Sequence, residues 1–224
     1  MRLPILIAML ILLLAACGER VETVQPQARE TAAPAASTQA SAPAAGATTV
    51  RGADGSELLL IHASGQGVEV TFLENGTKRT LRGETQESGK RKYSVDGGAV
   101  VFEVKPDDDS EGFKVRTPDG RLLWKVKLTP EKIKISDNEE NNNPFELKMR
   151  EGDRLKVVAP GDREVGNVRF DRAATKTEIE SAGGVTKFVV EGSRPSRAYG
   201  VLLLDSIPEV QRYIIAAEIL SRGR

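Results

Sequence analysis

The chain has 224 residues, with 32 lysines and arginines and 32 aspartates and glutamates, so its formal net charge is zero. A chain without net charge has no overall field that would draw it to nucleic acid. Its single cysteine excludes an internal disulfide, and its single histidine excludes a zinc site built from a cluster of histidines and cysteines. We therefore expect no metal, no cofactor and no nucleic-acid partner.

The first sixteen residues have the layout of a secretory signal. Arg2 is followed by an uncharged, apolar run from Leu3 to Ala16. Signal peptides have this order of a basic start, an apolar core and small residues before the cleavage site. The run is shorter than the ~20 residues that a membrane-spanning helix needs. We predict that residues 1–16 are a signal peptide that is removed on export.

The end of this run, Leu14-Ala15-Ala16-Cys17, resembles the lipobox of bacterial lipoproteins. The resemblance implies that Leu14, Ala15 and Ala16 are recognised for cleavage, and that Cys17 receives a diacylglyceryl group and then an acyl chain such as palmitate. Two or more acyl chains anchor a protein stably to a membrane. Gly18 stands where an Asp would retain an enteric-type lipoprotein on the inner membrane. The expected location is the cell envelope, on the outer membrane facing the periplasm; an ordinary signal peptide with a chance cysteine is the alternative.

The next segment has the composition of a linker. From Val21 to about Val50 the chain is rich in Ala, Pro, Thr, Ser and Gln and has few large apolar residues. Such a segment cannot bury enough apolar surface to offset the entropy of ordering it. We predict that residues 17–50 form the lipidated N-terminus and a disordered tether, on the order of 30 Å from end to end. Residues 51–224 are long enough for one domain with a buried core.

Alternation of apolar and polar residues recurs along this domain and predicts β-strands. Turn sequences such as Asn75-Gly76 and Asp96-Gly97-Gly98 separate the strands and favour tight hairpins. We therefore predict an antiparallel meander. The candidate strands are Glu57–His62, Val68–Leu73, Thr77–Arg82, Lys92–Val95, Ala99–Lys105, Gly112–Thr117, Arg121–Leu128, Lys132–Ser136, Phe145–Arg150, Arg154–Ala159, Val165–Asp171, Thr175–Ser181, Thr186–Glu191 and Ala198–Leu204.

The C-terminus breaks this pattern and predicts one helix. Pro208 can occupy the first turn of a helix that runs to about Arg222. The apolar arc of this segment, which includes Ile214, Ile215 and Ile219, is wider than that of a surface helix. We predict a mainly β domain in which about twelve strands close into a barrel or half-barrel with one apolar C-terminal helix.

Two segments resemble the tubby C-terminal-like superfamily, which includes the phospholipid scramblases and the LURP-one-related proteins. They are the strand, Asp-Gly turn and strand of residues 113–127, and Leu202-Leu203-Leu204-Asp205 before the helix. The resemblance implies a closed barrel of about a dozen strands threaded by its C-terminal helix, and a role in lipid handling. Arg212 and Glu218 depart from the family's more uniformly apolar helix, which leaves open a helix that caps the barrel mouth.

Catalytic patterns are weak. His62 has Ser64 two residues away, but no Gly-x-Ser-x-Gly turn surrounds that serine. The acidic segments Asp107–Gly112 and Asp137–Asn143 match calcium loops incompletely and are interpreted as hairpin tips. Trp124 is interpreted as a core residue. We expect a protein that is not an enzyme, although a hydrolase that uses two carboxylates has no sequence spacing by which it could be recognised.

One short segment is locally basic. Its cations are Lys78, Arg79, Arg82, Lys90, Arg91 and Lys92, and Glu84 and Glu87 lie among them. The segment is either a solvated hairpin face or a patch that binds anions or lipid headgroups. The sequence thus favours a lipid-anchored, non-enzymatic binding or scaffold module whose partner is an envelope protein or lipid, with a phospholipid-binding protein as the alternative.

Overall fold

The structure, a computed structural model, describes residues 46–64, 67–108, 111–192 and 194–223. These residues form fourteen strands, one 3₁₀ helix (Arg197–Leu203) and one α-helix, α1 (Glu209–Ser221). The strands are β1 (Ala47–Gly52), β2 (Glu57–Ala63), β3 (Gly67–Glu74), β4 (Thr77–Thr85), β5 (Arg91–Val95), β6 (Val100–Pro106), β7 (Phe113–Arg116), β8 (Leu122–Leu128), β9 (Lys132–Ser136), β10 (Phe145–Arg150), β11 (Arg154–Ala159), β12 (Arg163–Asp171), β13 (Lys176–Ser181) and β14 (Thr186–Glu191).

The fourteen strands of the described residues form a closed antiparallel barrel. Each strand pairs with its neighbours in sequence, and β1 pairs with β14 to close the sheet. At the closure Val50 of β1 lies opposite Val190 of β14 and Leu59 of β2. The predicted meander, its closure and the single C-terminal helix are confirmed, with fourteen strands instead of about twelve.

Two predicted hairpin turns have the backbone that their sequences favour. Asn75 and Gly76 have φ angles of 51° and 76°, and Asp96 and Gly97 have φ angles of 49° and 72°. Positive φ at both central residues matches the twist of the strands that such a turn connects. The local sequence therefore fixes where the β3–β4 and β5–β6 hairpins reverse.

Strand β1 corrects the boundary at which we placed the end of the tether. Residues 47–50 were assigned to the disordered segment, but they lie in β1, and Val50 is 1% exposed. The segment Ala47-Thr48-Thr49-Val50 has few large apolar residues, so its composition resembles that of the linker before it. Its order comes from pairing with both β2 and β14, which is a property of the closed sheet and not of the segment itself.

The segment Ala198–Leu204 was predicted as a strand, and this assignment is wrong. Residues 197–203 form a 3₁₀ helix, and all of them are buried. A continuous apolar run does not distinguish a strand from a buried helix. A segment inside the barrel has no strand beside it, and a helix lets its backbone groups pair with one another. Gly200 allows close packing here, because a Cβ atom would lie 2.8 Å from a methyl group of Leu155.

Helix α1 passes through the barrel interior. Residues 213–219 are all buried, and seven successive residues cover nearly two helical turns, so protein surrounds this segment on every side. Tyr213 packs against Phe72 of β3, with ring centroids 5.4 Å apart. The half-buried Trp124 of β8 donates a hydrogen bond from Nε1 to Oε1 of Gln211 at 2.6 Å. The helix is therefore enclosed by the sheet and does not cap its mouth.

The polar residue Glu218 lies inside the barrel and is fully paired. Oε1 of Glu218 accepts hydrogen bonds from Oη of Tyr93 at 2.6 Å and from Nη1 of Arg91 at 2.8 Å. Arg222 contacts the other carboxylate oxygen and lies 4.5 Å above the ring of Phe113. Burial, followed by the charge of Glu218, raises the pKa of Tyr93 well above its ordinary value. These contacts fix the position of α1 against β5 and β7.

We predict that Ile215→Asp lowers the free energy of unfolding by several kcal/mol, a large part of the roughly 5–15 kcal/mol expected for a domain. Ile215 is 0% exposed, so the new carboxylate would be buried without a partner. Ser206→Asp adds the same charge at an exposed position before α1 and should change stability by less than about 0.5 kcal/mol. Denaturant melts measure both variants. Equal, small effects would mean that α1 is not packed inside the barrel.

Candidate anion-binding surface

The outer faces of the neighbouring strands β7 to β11 concentrate positive charge. These strands contain ten lysines and arginines and one acidic residue, Glu146. The cations alternate with interior residues such as Val126 and Ile133, which are 0% exposed, so the two-residue period of a strand places the cations outside. We call them the basic wall: Lys114, Arg116, Lys125, Lys127, Lys132, Lys134, Lys148, Arg150, Arg154 and Lys156.

Strand register sets these cations directly opposite one another. Lys148 of β10 lies between Lys132 of β9 and Lys156 of β11, and the three form what we call the lysine row. Arg154 of β11 lies between Arg150 of β10 and Arg169 of β12 in the same way, which gives the arginine row. Lys114 opposite Lys125 and Lys127 opposite Lys134 are further pairs of like charge.

Apart from Lys105 of β6 opposite Lys114 of β7, the charged cross-strand pairs elsewhere on the barrel have opposite charges. Lys92 of β5 lies between Glu84 of β4 and Glu103 of β6. Glu69 of β3 lies opposite Arg82 of β4, with Nε and Oε2 2.8 Å apart. Directly opposed pairs contribute roughly 0.2–1 kcal/mol each when favourable, and like charges in these positions are destabilising. The register of the basic wall therefore lowers stability, so fold stability does not explain it.

Glu146 offsets part of this repulsion. Its carboxylate, 15% exposed, lies 3.1 Å from Nζ of Lys132 and 3.7 Å from Nζ of Lys134, and it also contacts Lys148. Desolvation raises the pKa of Glu146, but hydrogen bonds from Lys148 and Lys132 outweigh it and lower the pKa below its ordinary value. One carboxylate thus pairs with three lysines, and the cluster of these four side chains remains positively charged.

The loop between β9 and β10 covers one side of the basic wall. Glu139 from this loop lies 2.9 Å from Nζ of Lys114 and 2.6 Å from Nη2 of Arg116. Hydrogen bonding from Lys114, more than from Arg116, lowers the pKa of Glu139 despite its partial desolvation. Lys125 is buried beneath the loop and donates to the backbone oxygen of Glu139 at 2.8 Å. The loop therefore leaves the wall accessible mainly on β9, β10 and β11, with the half-buried Lys127 of β8 beside them.

Several wall cations have no acidic partner. Lys127, Arg150 and Arg154 make no ion pair with any part of the chain that the structure describes. Arg150 and Arg154 are exposed, and Lys127 is half-buried. Lys156 has a single carboxylate partner, Glu164, and remains about one-third exposed at 32%. These side chains can accept an external anion without breaking a buried contact.

The basic segment that the sequence singled out does not form one surface. Arg91 points inward and binds Glu218, while Lys90 lies in the adjoining turn. Arg79 contacts Glu74 at 3.0 Å and Asp96 at 2.6 Å, and Arg82 contacts Glu69. Lys78 and Lys92 are exposed, but they lie toward opposite ends of the β4–β5 hairpin. The six cations are thus divided between interior, ion pairs and separate exterior positions.

Other chemistry-bearing side chains are dispersed. His62 is exposed at the end of β2. Among the described residues there is no group of three or more His, Cys, Asp or Glu side chains arranged to hold a metal ion. A cavity of about 110 Å³ lies beside α1 and is lined in part by Leu58, Leu73, Phe188 and Tyr213. Three clefts on the surface of the described residues are larger, at about 530, 410 and 370 Å³.

The predicted lipidation site lies outside the described residues. This holds for the signal peptide of residues 1–16, for Leu14, Ala15 and Ala16, for Cys17, and for the tether up to residue 45. Of the part that is described, none of the helices combines the length and apolar character needed to span a bilayer.

The sequence contains a pattern that indicates the basic wall, but this pattern does not stand out as a region of high charge along the chain. Its cations come in pairs separated by one apolar residue, as in Lys125-Val126-Lys127 and Lys132-Ile133-Lys134. Each pair is short and lies far from the longest run of charge, at residues 78–92. Only the pairing of β7 to β11 side by side shows that the pairs share one face.

We predict that Glu146→Gln destabilises the barrel by about 1 kcal/mol at neutral pH, because three lysines lose their shared carboxylate. Since the pKa of Glu146 is lower in the folded chain than in the unfolded chain, its contribution is complete above about pH 4.3. The contribution is lost as the pH falls through the lowered pKa. Denaturant melts from pH 7 to pH 3 should show the two proteins converging in acid.

The matched control for this variant is Glu69→Gln, which removes an exposed carboxylate that pairs with Arg82 alone. It should change stability by less than about 0.5 kcal/mol. A loss for Glu146→Gln that is no greater, or that persists unchanged at pH 3, would contradict the stabilising role of Glu146.

Comparison of the chain with protein-family models, with characterised proteins and with solved structures finds no match. A functional assignment therefore depends on the residues and contacts of this chain.

Proposed function

We propose that this protein is a lipid-anchored, non-enzymatic binding module of the cell envelope, and that its barrel binds an anionic envelope component through the basic wall. The observation that carries the proposal is the opposed register of like charges in the lysine and arginine rows. A surface arranged in this way loses stability when empty and gains favourable contacts when an anion lies across it.

The construction of the barrel supports a binding role. The 3₁₀ helix and α1 fill the interior, so the wall stands on strands whose inward residues are packed in the core. Binding surfaces on rigid strands hold their side chains in more exact positions than surfaces on loops. The outward positions of β7 to β11 thus present cations without requiring a change in the fold.

The anchor supports the assignment to the envelope. The lipobox resemblance at Leu14-Ala15-Ala16-Cys17 implies acylation of Cys17, and acyl chains would hold the barrel close to a membrane. A tether multiplies a weak interaction by raising the local concentration of both partners. A modest affinity of the basic wall would therefore suffice for an anchored protein.

A second candidate is a phospholipid-binding or lipid-handling protein, which the tubby-like resemblance implies. The specific observation in its favour is the basic wall itself, because lipid phosphates are anions that lysine and arginine side chains bind. This second candidate uses the same surface, the basic wall, and differs from the first candidate only in the ligand that binds there.

The proposal is tested with an unlipidated chain of residues 18–224, which lacks Cys17, and two probes: vesicles with 30 mol% phosphatidylglycerol, and sodium polygalacturonate. We expect at least one probe to bind, with affinity that falls as salt rises, because anion binding releases counterions. Replacement of Lys127, Arg150 and Arg154 by Gln should lower the slope of log affinity against log salt by about one per lost contact.

The control replaces Lys78, Lys92 and Lys187, three exposed lysines outside the wall, by Gln. It removes the same charge, and it should leave the affinity within about twofold of the original, as expected if these lysines make no contact with the anion. Absence of binding to both probes, or equal losses from the two triple variants, would contradict an anion-binding role for the wall.

The anchor has its own test. Cys17→Ser should leave the protein unprocessed or released from the membrane, because Cys17 is the only thiol in the chain. Fractionation of cells labelled with radioactive palmitate measures both properties. A substituted protein of mature size that still carries label in the membrane fraction would show that Cys17 is not the acylated residue.

A further inference from the structure

The spacing and curvature of the lysine and arginine rows indicate what shape of anion would fit the basic wall. We propose that the ligand of the basic wall is a linear acidic polysaccharide that crosses the strands along the lysine and arginine rows. This inference rests on the proposed function, since it names the ligand of the same surface.

The cations of each row are spaced by the distance between neighbouring strands. Neighbouring strands lie about 4.8 Å apart, so Lys132, Lys148 and Lys156 present positive groups at this interval across β9 to β11. Arg150, Arg154 and Arg169 repeat the arrangement across β10 to β12, although Arg169 already pairs with Glu178 at 3.1 Å and Glu180 at 3.3 Å. A sugar ring is similar in length to this interval. A polymer with an anion on successive sugars therefore meets one cation at each strand.

The surface that carries the rows is curved. The lysine and arginine rows together cross four adjacent strands, β9 to β12, of the fourteen in the described barrel. Because strands in closed barrels tilt by about 35–45°, rows perpendicular to them wind around the barrel. A flat surface of headgroups would touch such a wall along one line. A flexible polysaccharide can follow the curved surface of the barrel and contact every cation of a row.

The exposed side chains of the wall suit a carboxylate ligand. Arg150 and Arg154 are exposed, and a guanidinium can bind a carboxylate through two parallel hydrogen bonds. Single-stranded nucleic acid, the other common linear polyanion, is bound by aromatic side chains on which bases stack. The outward positions of β7 to β11 include no Phe, Tyr or Trp. The wall thus provides charge and hydrogen bonds without stacking platforms.

The test compares oligogalacturonates of two, four and eight sugars, neutral maltooctaose, and vesicles with 30 mol% phosphatidylglycerol, by calorimetry with residues 18–224. Affinity should rise about tenfold or more from the dimer to the octamer, as charges along one chain bind successive cations. Maltooctaose should not bind. An oligophosphate of eight units tests whether phosphate replaces carboxylate.

Variants in the lysine row test the path of the polysaccharide along the wall. Lys148→Gln removes the middle of the lysine row, so it should reduce the ratio of the affinity for the octamer to that for the dimer. Lys187→Gln, an exposed lysine off the wall, should leave that ratio unchanged. Thermal melts of both variants check that the barrel remains folded.

The outcomes separate this inference from the proposed function. Binding to vesicles but not to oligogalacturonate or oligophosphate would overturn the polysaccharide and leave an anion-binding wall. Affinity that is independent of oligomer length would also overturn it. Failure of every anionic probe to bind would overturn both.

Discussion

A closed sheet surrounds the helical segments of this protein, and the placement of its other residues follows from that enclosure. The fourteen strands of the described residues surround the 3₁₀ helix and α1, and buried residues from both join one core with the inward side chains of the sheet. This requirement fixes which residues of each strand face inward. It also explains Glu218, whose charge is tolerated because Tyr93, Arg91 and Arg222 meet it inside the barrel.

The basic wall follows from the same constraint. Once Ile133, Leu147 and Leu155 face the core, the residues between them must face outward. Many polar residues at those outward positions would be compatible with the same core. Packing therefore does not require lysine and arginine on five adjacent strands. Opposed like charges in the wall disfavour folding, and Glu146 offsets this repulsion by contacting three of the lysines. Natural proteins commonly accept lower stability at functional surfaces.

Much of the fold could be predicted because its information is local. Alternation located thirteen of the strands, and Asn75-Gly76 and Asp96-Gly97 marked their turns. Strand β1 could not be found in this way, because its order depends on β2 and β14, which are adjacent only in the closed barrel. The 3₁₀ helix was missed because an apolar run is equally compatible with a buried strand.

The candidate surface was harder to predict than the fold. The density of charge along the chain is highest at residues 78–92, where six cations lie close together, but alternation turns Arg91 toward the core and leaves Lys92 outside. The cations of β7 to β11 are separated in sequence and converge only through strand pairing. A charged face of a barrel is therefore visible only once the strands are paired in register and the outward positions of neighbouring strands are combined.

Lysine modification with and without polygalacturonate shows which side chains the polyanion covers. Mass spectrometry after brief acetylation measures the reactivity of each lysine in one experiment. We expect polygalacturonate to protect Lys132, Lys148 and Lys156, while Lys78, Lys92 and Lys187 react as before. Uniform protection of all six, or protection confined to the lysines outside the wall, would contradict binding along the lysine row.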